Sequence, residues 1–235
     1  MKKIRPVFIG LFGFLIIGCQ NNNPTVSKQE KKENSYAIIG KVTGQDTGMI
    51  YIVHKQKGLV DTAILDHGFF TFKGQSDNAE LCELFFSNAS KKFFLENGKI
   101  TMLVKKDSMQ YALISGTKVQ DEYNYFNNQL LKPLVDRVDE AWKAYYIAQF
   151  KKNRQAIDSL NMIFKKLGQE QKNLIIDYTK SHPSSIVAAY EIFRIGDFGR
   201  NLTLSLLDSL YMQLDTTVRT SFFGVKIQGL IKKQN

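Results

Sequence analysis

The chain is short of the side chains that most often carry chemistry. Its 235 residues include two cysteines and three histidines. Two cysteines exclude a fold stapled by several disulfides. No pair among His54, His67 and His182 has metal-ligand spacing, so the sequence gives no warrant for a metal centre. There is no C-x-x-C, G-x-S-x-G, H-E-x-x-H or P-loop pattern. No repeat is firm enough to suggest a solenoid. A compact basic-aromatic motif of the kind that reads nucleic acid is also missing. The one uncharged apolar run near the start, Val7 to Ile17, falls well short of the roughly 20 residues that cross a bilayer. From these gaps the sequence predicts no catalytic residue, no cofactor, no metal and no nucleic-acid partner.

What is present is enough to fold. Hydrophobic side chains make up 43% of the chain, sufficient for a real core in one or two domains. The formal net charge is +10. Lysines are spread along the whole chain, which reads as a solvated surface rather than a dedicated anionic-ligand patch.

The amino-terminal segment is the most informative. Lys2, Lys3 and Arg5 precede the apolar run, and Ile16-Ile17-Gly18-Cys19 follows. A cationic start and a short apolar run read as an export signal. A small residue followed at once by cysteine resembles a bacterial lipoprotein signal. That resemblance implies cleavage after residue 18 and acylation of Cys19 by palmitate-type chains, which would tie the mature chain to a membrane. Residues 1–18 carry three cations and no acid, so the mature charge would fall to +7. Gln20 stands where an aspartate would signal inner-membrane retention, which leans the expected location towards the outer membrane of the cell envelope. Residues 19–35 then read as a polar tether with a span on the order of 20–25 Å.

Residues 36–116 read as β. Met49–Val53, Val60–Leu65, Phe69–Phe72, Phe93–Leu95 and Ile100–Val104 are rich in β-branched and aromatic side chains. Gly68 predicts a turn of positive φ, and Phe70 and Phe72 share an inward face. Asn97-Gly98 reads as a hairpin turn. About eight short strands predict a small antiparallel sandwich or barrel. After Gly116 the period changes. A helical stripe from Val119 to Tyr145 is interrupted at Pro133, and a second from Ile157 to Tyr178 ends at His182-Pro183. Shorter helices are expected over 185–195, 202–214 and 217–230. The fold class is therefore α+β: a β domain over 36–116 and an all-helical region of antiparallel hairpins over 117–235.

Several residues carry two readings. Cys82, in an apolar strand, reads as a small buried hydrophobe, with a reactive thiol or an intermolecular disulfide as the sharper alternative. Glu80 and Glu83 would raise its pKa. Asp61 before Thr62 is either part of a polar site or a hairpin residue bonded to local backbone; the second is preferred. Trp142, Tyr145 and Tyr146 make either an aromatic binding patch or core packing, with packing preferred.

Asp61-Thr62-Ala63, Gly68-Phe69-Phe70-Thr71-Phe72-Lys73-Gly74, Phe94-Leu95-Glu96-Asn97-Gly98-Lys99-Ile100 and Ser115-Gly116-Thr117 resemble the DUF4369 domain. That domain is typical of Bacteroidetes lipoproteins, where it often precedes a thioredoxin-like domain of the ResA/TlpA or AhpC/TSA type. His182-Pro183-Ser184-Ser185-Ile186-Val187-Ala188 and Ser221-Phe222-Phe223-Gly224-Val225-Lys226-Ile227 are similar to the helical segment between the two. The redox motif of that family, Trp-Cys-x-x-Cys, is absent from these 235 residues, so the resemblance transfers no redox residue, and Cys82 does not match the motif. The resulting expectation is a non-enzymatic, lipid-anchored envelope module that binds a protein or peptide, a thioredoxin-like protein among the options. An accessory role in thiol-disulfide exchange and a carbohydrate- or lipid-binding role are the alternatives.

Overall fold

The computed structural model describes residues 34–197 and 202–234. The export signal, Cys19 and nearly all of the expected tether lie outside the described residues. Eight strands come first: β1 Tyr36–Thr43, β2 Gly48–His54, β3 Leu59–Leu65, β4 Phe69–Gly74, β5 Glu80–Phe86, β6 Ala89–Leu95, β7 Gly98–Lys105 and β8 Leu113–Ser115. They form two four-stranded sheets, ordered β4-β1-β7-β8 and β3-β2-β5-β6.

Period-two alternation aims one row of each strand inward. Ile38 and Val42 of β1, Ile50 and Ile52 of β2, Leu84 and Phe86 of β5, and Ile100, Met102 and Val104 of β7 are all buried in one core between the sheets. Phe70 and Phe72 point inward as their spacing predicts. Gly68 has φ +79, and an added Cβ there would meet the Val42 carbonyl oxygen at 2.7 Å, so the turn before β4 tolerates only glycine without strain.

Two pairings depart from the sequence reading. Asn97-Gly98 does not close a hairpin. β6 pairs with β5, whereas β7 pairs with β1 and β8, so this turn carries the chain from one sheet to the other. The turn chemistry is right for a reversal, but the partner of each strand is set by which inward row it completes. The sandwich is also not wholly antiparallel, because β1 and β7 run parallel from Tyr36↔Gly98 to Thr43↔Lys105. The five strands between them supply the long connection that a parallel pair requires.

The helices are α1 Lys118–Tyr125, α2 Lys132–Phe150, α3 Arg154–Ser181, α4 Ile186–Asp197, α5 Leu204–Gln213, α6 Thr216–Arg219 and α7 Phe222–Gln234. A π-helical segment, Phe126–Leu131, joins α1 to α2, and Pro133 lies in the first turn of α2. The interruption expected at this proline is a one-turn widening rather than a break: Tyr125, Phe126, Leu131 and Lys132 all keep right-handed helical backbone, and the hydrogen-bond ladder shifts register just before Pro133. Asn153 caps α3 through its side chain, accepting from the Ala156 N–H at 3.1 Å. Ser185 does the same for α4 through Ala188 at 2.8 Å.

A second core joins the helices to the back of the β3-β2-β5-β6 sheet. Phe93 and Phe94 are both fully buried but on opposite faces. Phe93 enters the sandwich, while Phe94 and Leu81 belong to the helical core, where the Phe94 ring packs against Tyr123, Tyr190 and Phe223. The Phe94 N–H donates to Gln120 Oε1 at 2.7 Å, so α1 closes this sheet in hydrogen bonds as well as in area. Glu122 ties the helices together, accepting from Tyr178 at 2.8 Å and from the Ser185 hydroxyl. No helix among the described residues is long and apolar enough to cross a membrane.

Candidate functional sites

Register builds a polar cluster at one end of the sandwich interior. β2 and β5 place His54 directly opposite Cys82, and β3 brings Asp61 opposite Ile52 on the other side of β2. Alternation puts Glu80 on the same inner row as Cys82. His54 Nδ1 lies 3.1 Å from Glu80 Oε1, and His54 Nε2 lies 3.1 Å from Asp61 Oδ2. Cys82 Sγ is 3.6 Å from His54 Nδ1. Lys57 and Ser76 both donate to Glu80 Oε1, at 3.0 and 3.3 Å. Tyr36 reaches across from the facing sheet and donates to Asp61 Oδ2 at 3.4 Å.

Cys82, Glu80 and His54 are buried, whereas the side chains of Lys57 and Asp61 are 40% and 47% exposed. The cluster therefore sits just beneath the surface, with one cation and one anion at its edge. Burial, the Glu80 charge and the Asp61 charge push the Cys82 thiol well above its ordinary range, against a partial opposing pull from Lys57. Tyr36 is pushed up to about 12, first by burial and then by Asp61. A thiol so placed is a poor nucleophile and is closed to solvent. Cys82 is thus the small buried side chain that its strand context predicts.

Asp61 departs from the preferred reading. Its carboxylate holds side chains of β1 and β2 rather than local backbone. Spacing along the chain hid this cluster, because residues 54, 61, 80 and 82 meet only through strand register. The available signal was polar residues in inward positions: His54 in step with Ile50 and Ile52, Asp61 in step with Ala63 and Leu65, and Glu80 in step with Cys82 and Leu84.

A second site is an open groove of about 1020 Å³ where sheets and helices meet. It is bounded by β6 and β8, each at the edge of its sheet, and by the helical run from α1 to the start of α2. Its walls carry Lys91, Lys92, Lys132 and the carboxylate of Glu83, with Asn127 and Asn128 between; Lys132 is paired with Asp136 at 2.7 Å and Lys91 donates to the Gln110 carbonyl at 2.7 Å. Glu83 is already paired with Lys55 at 2.5 Å, and its carboxyl is held below the usual range by hydrogen bonds from Lys55 and Ser90 against the upward pull of burial. Tyr111, 75% exposed, stands at the rim.

The aromatic group on α2 is mostly exposed rather than core. Trp142 and Tyr146 are 43% and 67% exposed, Tyr145 is half-buried against Trp142 and Phe164, and Phe150 further along is 89% exposed. Only a narrow stripe of α2, Ala141 and Ala148, is buried, so the rings to either side of it stack on one another and on Phe164 of α3.

Among known families, residues 36–123 match the model described as "Domain of unknown function (DUF4369)". No curated protein matches the chain. The matched span covers all eight strands and the first six residues of α1, ending at Tyr123. Gln120 and Tyr123 are the α1 residues that seal Phe94, which gives the family boundary a physical sense. The polar cluster lies entirely inside the matched domain; the groove is shared between it and the helices that follow.

Proposed function

We propose that this chain is a non-enzymatic cell-envelope module, held by lipid on Cys19 at the outer membrane, that captures an extended acidic segment of a partner protein in the groove between β6 and β8. The observation that carries this reading is the groove itself: two edge strands facing one another across a channel whose lysines outnumber its acids. Edge strands recognise extended peptide by main-chain pairing, and flanking side-chain chemistry selects among peptides. Because Gln120 and Asn124 already hold the Phe94 N–H and the Ile114 carbonyl, the pairing edge here is residues 90–92 of β6, with β8 as the opposite wall. Lysines at the walls favour acidic partners and speed encounter more than they tighten the final complex.

The buried Cys82 argues against the alternative in which that thiol exchanges disulfides, since such a role needs a solvent-reachable thiolate. A thioredoxin-like protein remains one of the partners the groove would suit.

The test is charge reversal. Lys91→Glu with Lys92→Glu is expected to abolish crosslinked capture of the partner from intact envelopes. The same reversal at Lys151 and Lys152, beyond the groove on the α2–α3 turn, is expected to leave capture intact. Capture indifferent to the groove reversal, or lost equally in both variants, would overturn the proposal.

A further inference from the structure

We propose that His54, Glu80 and Cys82 form a zinc site inside the matched domain, with Asp61 as the group that orients the histidine. The proposal is independent of the groove and rests on four observations.

First, the donors are already gathered. One ligand atom from each residue lies within 4.8 Å of the other two. A tetrahedral zinc with ordinary bond lengths holds its nitrogen and sulfur ligands about 3.5 Å apart and its nitrogen and oxygen ligands about 3.3 Å apart. The separations here are 3.6 Å for His54 Nδ1 to Cys82 Sγ and 3.1 Å for His54 Nδ1 to Glu80 Oε1. A nitrogen, a carboxylate oxygen and a sulfur make a borderline set, suited to zinc rather than to magnesium or calcium.

Second, the outer contact is of the right kind. A metal-bound histidine commonly donates its other ring N–H to a carboxylate, which fixes the tautomer. His54 Nε2 has Asp61 at 3.1 Å for this purpose. Third, a neutral imidazole has a single N–H, so once Nε2 donates to Asp61 the lone pair of Nδ1 faces the lone pairs of Glu80 Oε1, with only the weak Cys82 S–H at 3.6 Å to donate to it. A cation between them satisfies both. Fourth, Glu80 is 2% exposed, and its Oε2 is buried with no hydrogen-bond partner among the described residues. An orphaned carboxylate oxygen in a protein interior calls for a partner, which an ion held by both Glu80 oxygens would supply.

Binding would release the Cys82 S–H proton to solvent, form the sulfur–zinc bond, and displace the Lys57 ammonium from Glu80 Oε1. No electron is transferred. Lys57 and Asp61, both about half exposed, mark the route of entry.

Cobalt(II) is the probe, titrated into the full folded chain with zinc(II) as competitor. The expected result is one equivalent of cobalt bound, with an intense thiolate-to-cobalt charge-transfer band that zinc abolishes. Cys82→Ser, shown to be folded by circular dichroism, should lose the band. Asp61→Asn should weaken cobalt binding by about 10- to 100-fold. Lys57→Met should tighten it, because a competing cation is removed. These last two positions are half exposed and keep the test decisive if the Cys82 variant does not fold. Absence of the band in the folded wild-type chain, a band that survives Cys82→Ser, or an affinity unchanged by both Asp61→Asn and Lys57→Met would overturn the proposal.

Discussion

Replacing Phe94 with alanine should separate the helical core from the sandwich without destroying either. Phe94 is fully buried, and its ring centroid lies 5.2 Å from Tyr123, 5.8 Å from Tyr190 and 6.2 Å from Phe223, each in an edge-to-face arrangement. Truncating a buried phenylalanine costs about 3–5 kcal/mol, the cavity included. At roughly 2–4 °C per kcal/mol for a domain of this size, the melting temperature should fall by about 6–20 °C. Phe93→Ala is the matched control: it is the adjacent residue, equally buried, but facing the other core. Both variants should lose similar stability. Hydrogen exchange should tell them apart, with Phe94→Ala loosening amides of α4 and α7 and Phe93→Ala loosening those of β2 and β5. A loss below about 1 kcal/mol for Phe94→Ala, or the same exchange pattern for both variants, would refute the two-core reasoning.

Three further outcomes follow from the same structure. Glu191→Ala should destabilise by about 2–3 kcal/mol in urea unfolding, because Arg194, now bonded to Glu191 at 2.8 Å and three-quarters buried, would lose its partner. Tyr36, Tyr123, Tyr178 and Tyr190, four of the ten tyrosines, are all raised above the ordinary value, foremost by burial. Their contribution is present below pH 10 and is lost as pH rises through the folded values, about 12 for Tyr36, so a tyrosinate absorbance titration should show a delayed group that ionises together with loss of the circular dichroism signal. Ten tyrosines ionising together near pH 10 in a folded chain would contradict this. Phe150→Ser should change stability by no more than about 0.5 kcal/mol in the same unfolding assay, since its ring is 89% exposed.

The fold was readable wherever one local signal decided the matter. Inward alternation at Ile100, Met102 and Val104, positive φ at Gly68, and the stop at His182-Pro183 all operate within a few residues, and each appears in the structure as its local chemistry predicts. What escaped was non-local. Asn97-Gly98 has the chemistry of a hairpin turn, yet β7 finds β1 rather than β6, because partner choice depends on completing a sheet that begins 60 residues earlier. The exposure of Trp142 depended on how little of α2 is buried, which the stripe of apolar residues overstated. The polar cluster needed the registers of β2 with both β3 and β5 before Asp61 and Glu80 could be seen to hold His54. The groove required both edge strands and the start of the helical run, and no one segment of the sequence encodes it.

Photocrosslinking in intact cells tests the central claim, capture of a partner between β6 and β8, most directly. A photoreactive residue at Tyr111, on the groove rim, should give a discrete adduct with one envelope protein, and the adduct should vanish when Lys91 and Lys92 are reversed to glutamate. The same residue at Phe150, outside the groove, should give none. An adduct from position 150 with none from position 111 would contradict the account.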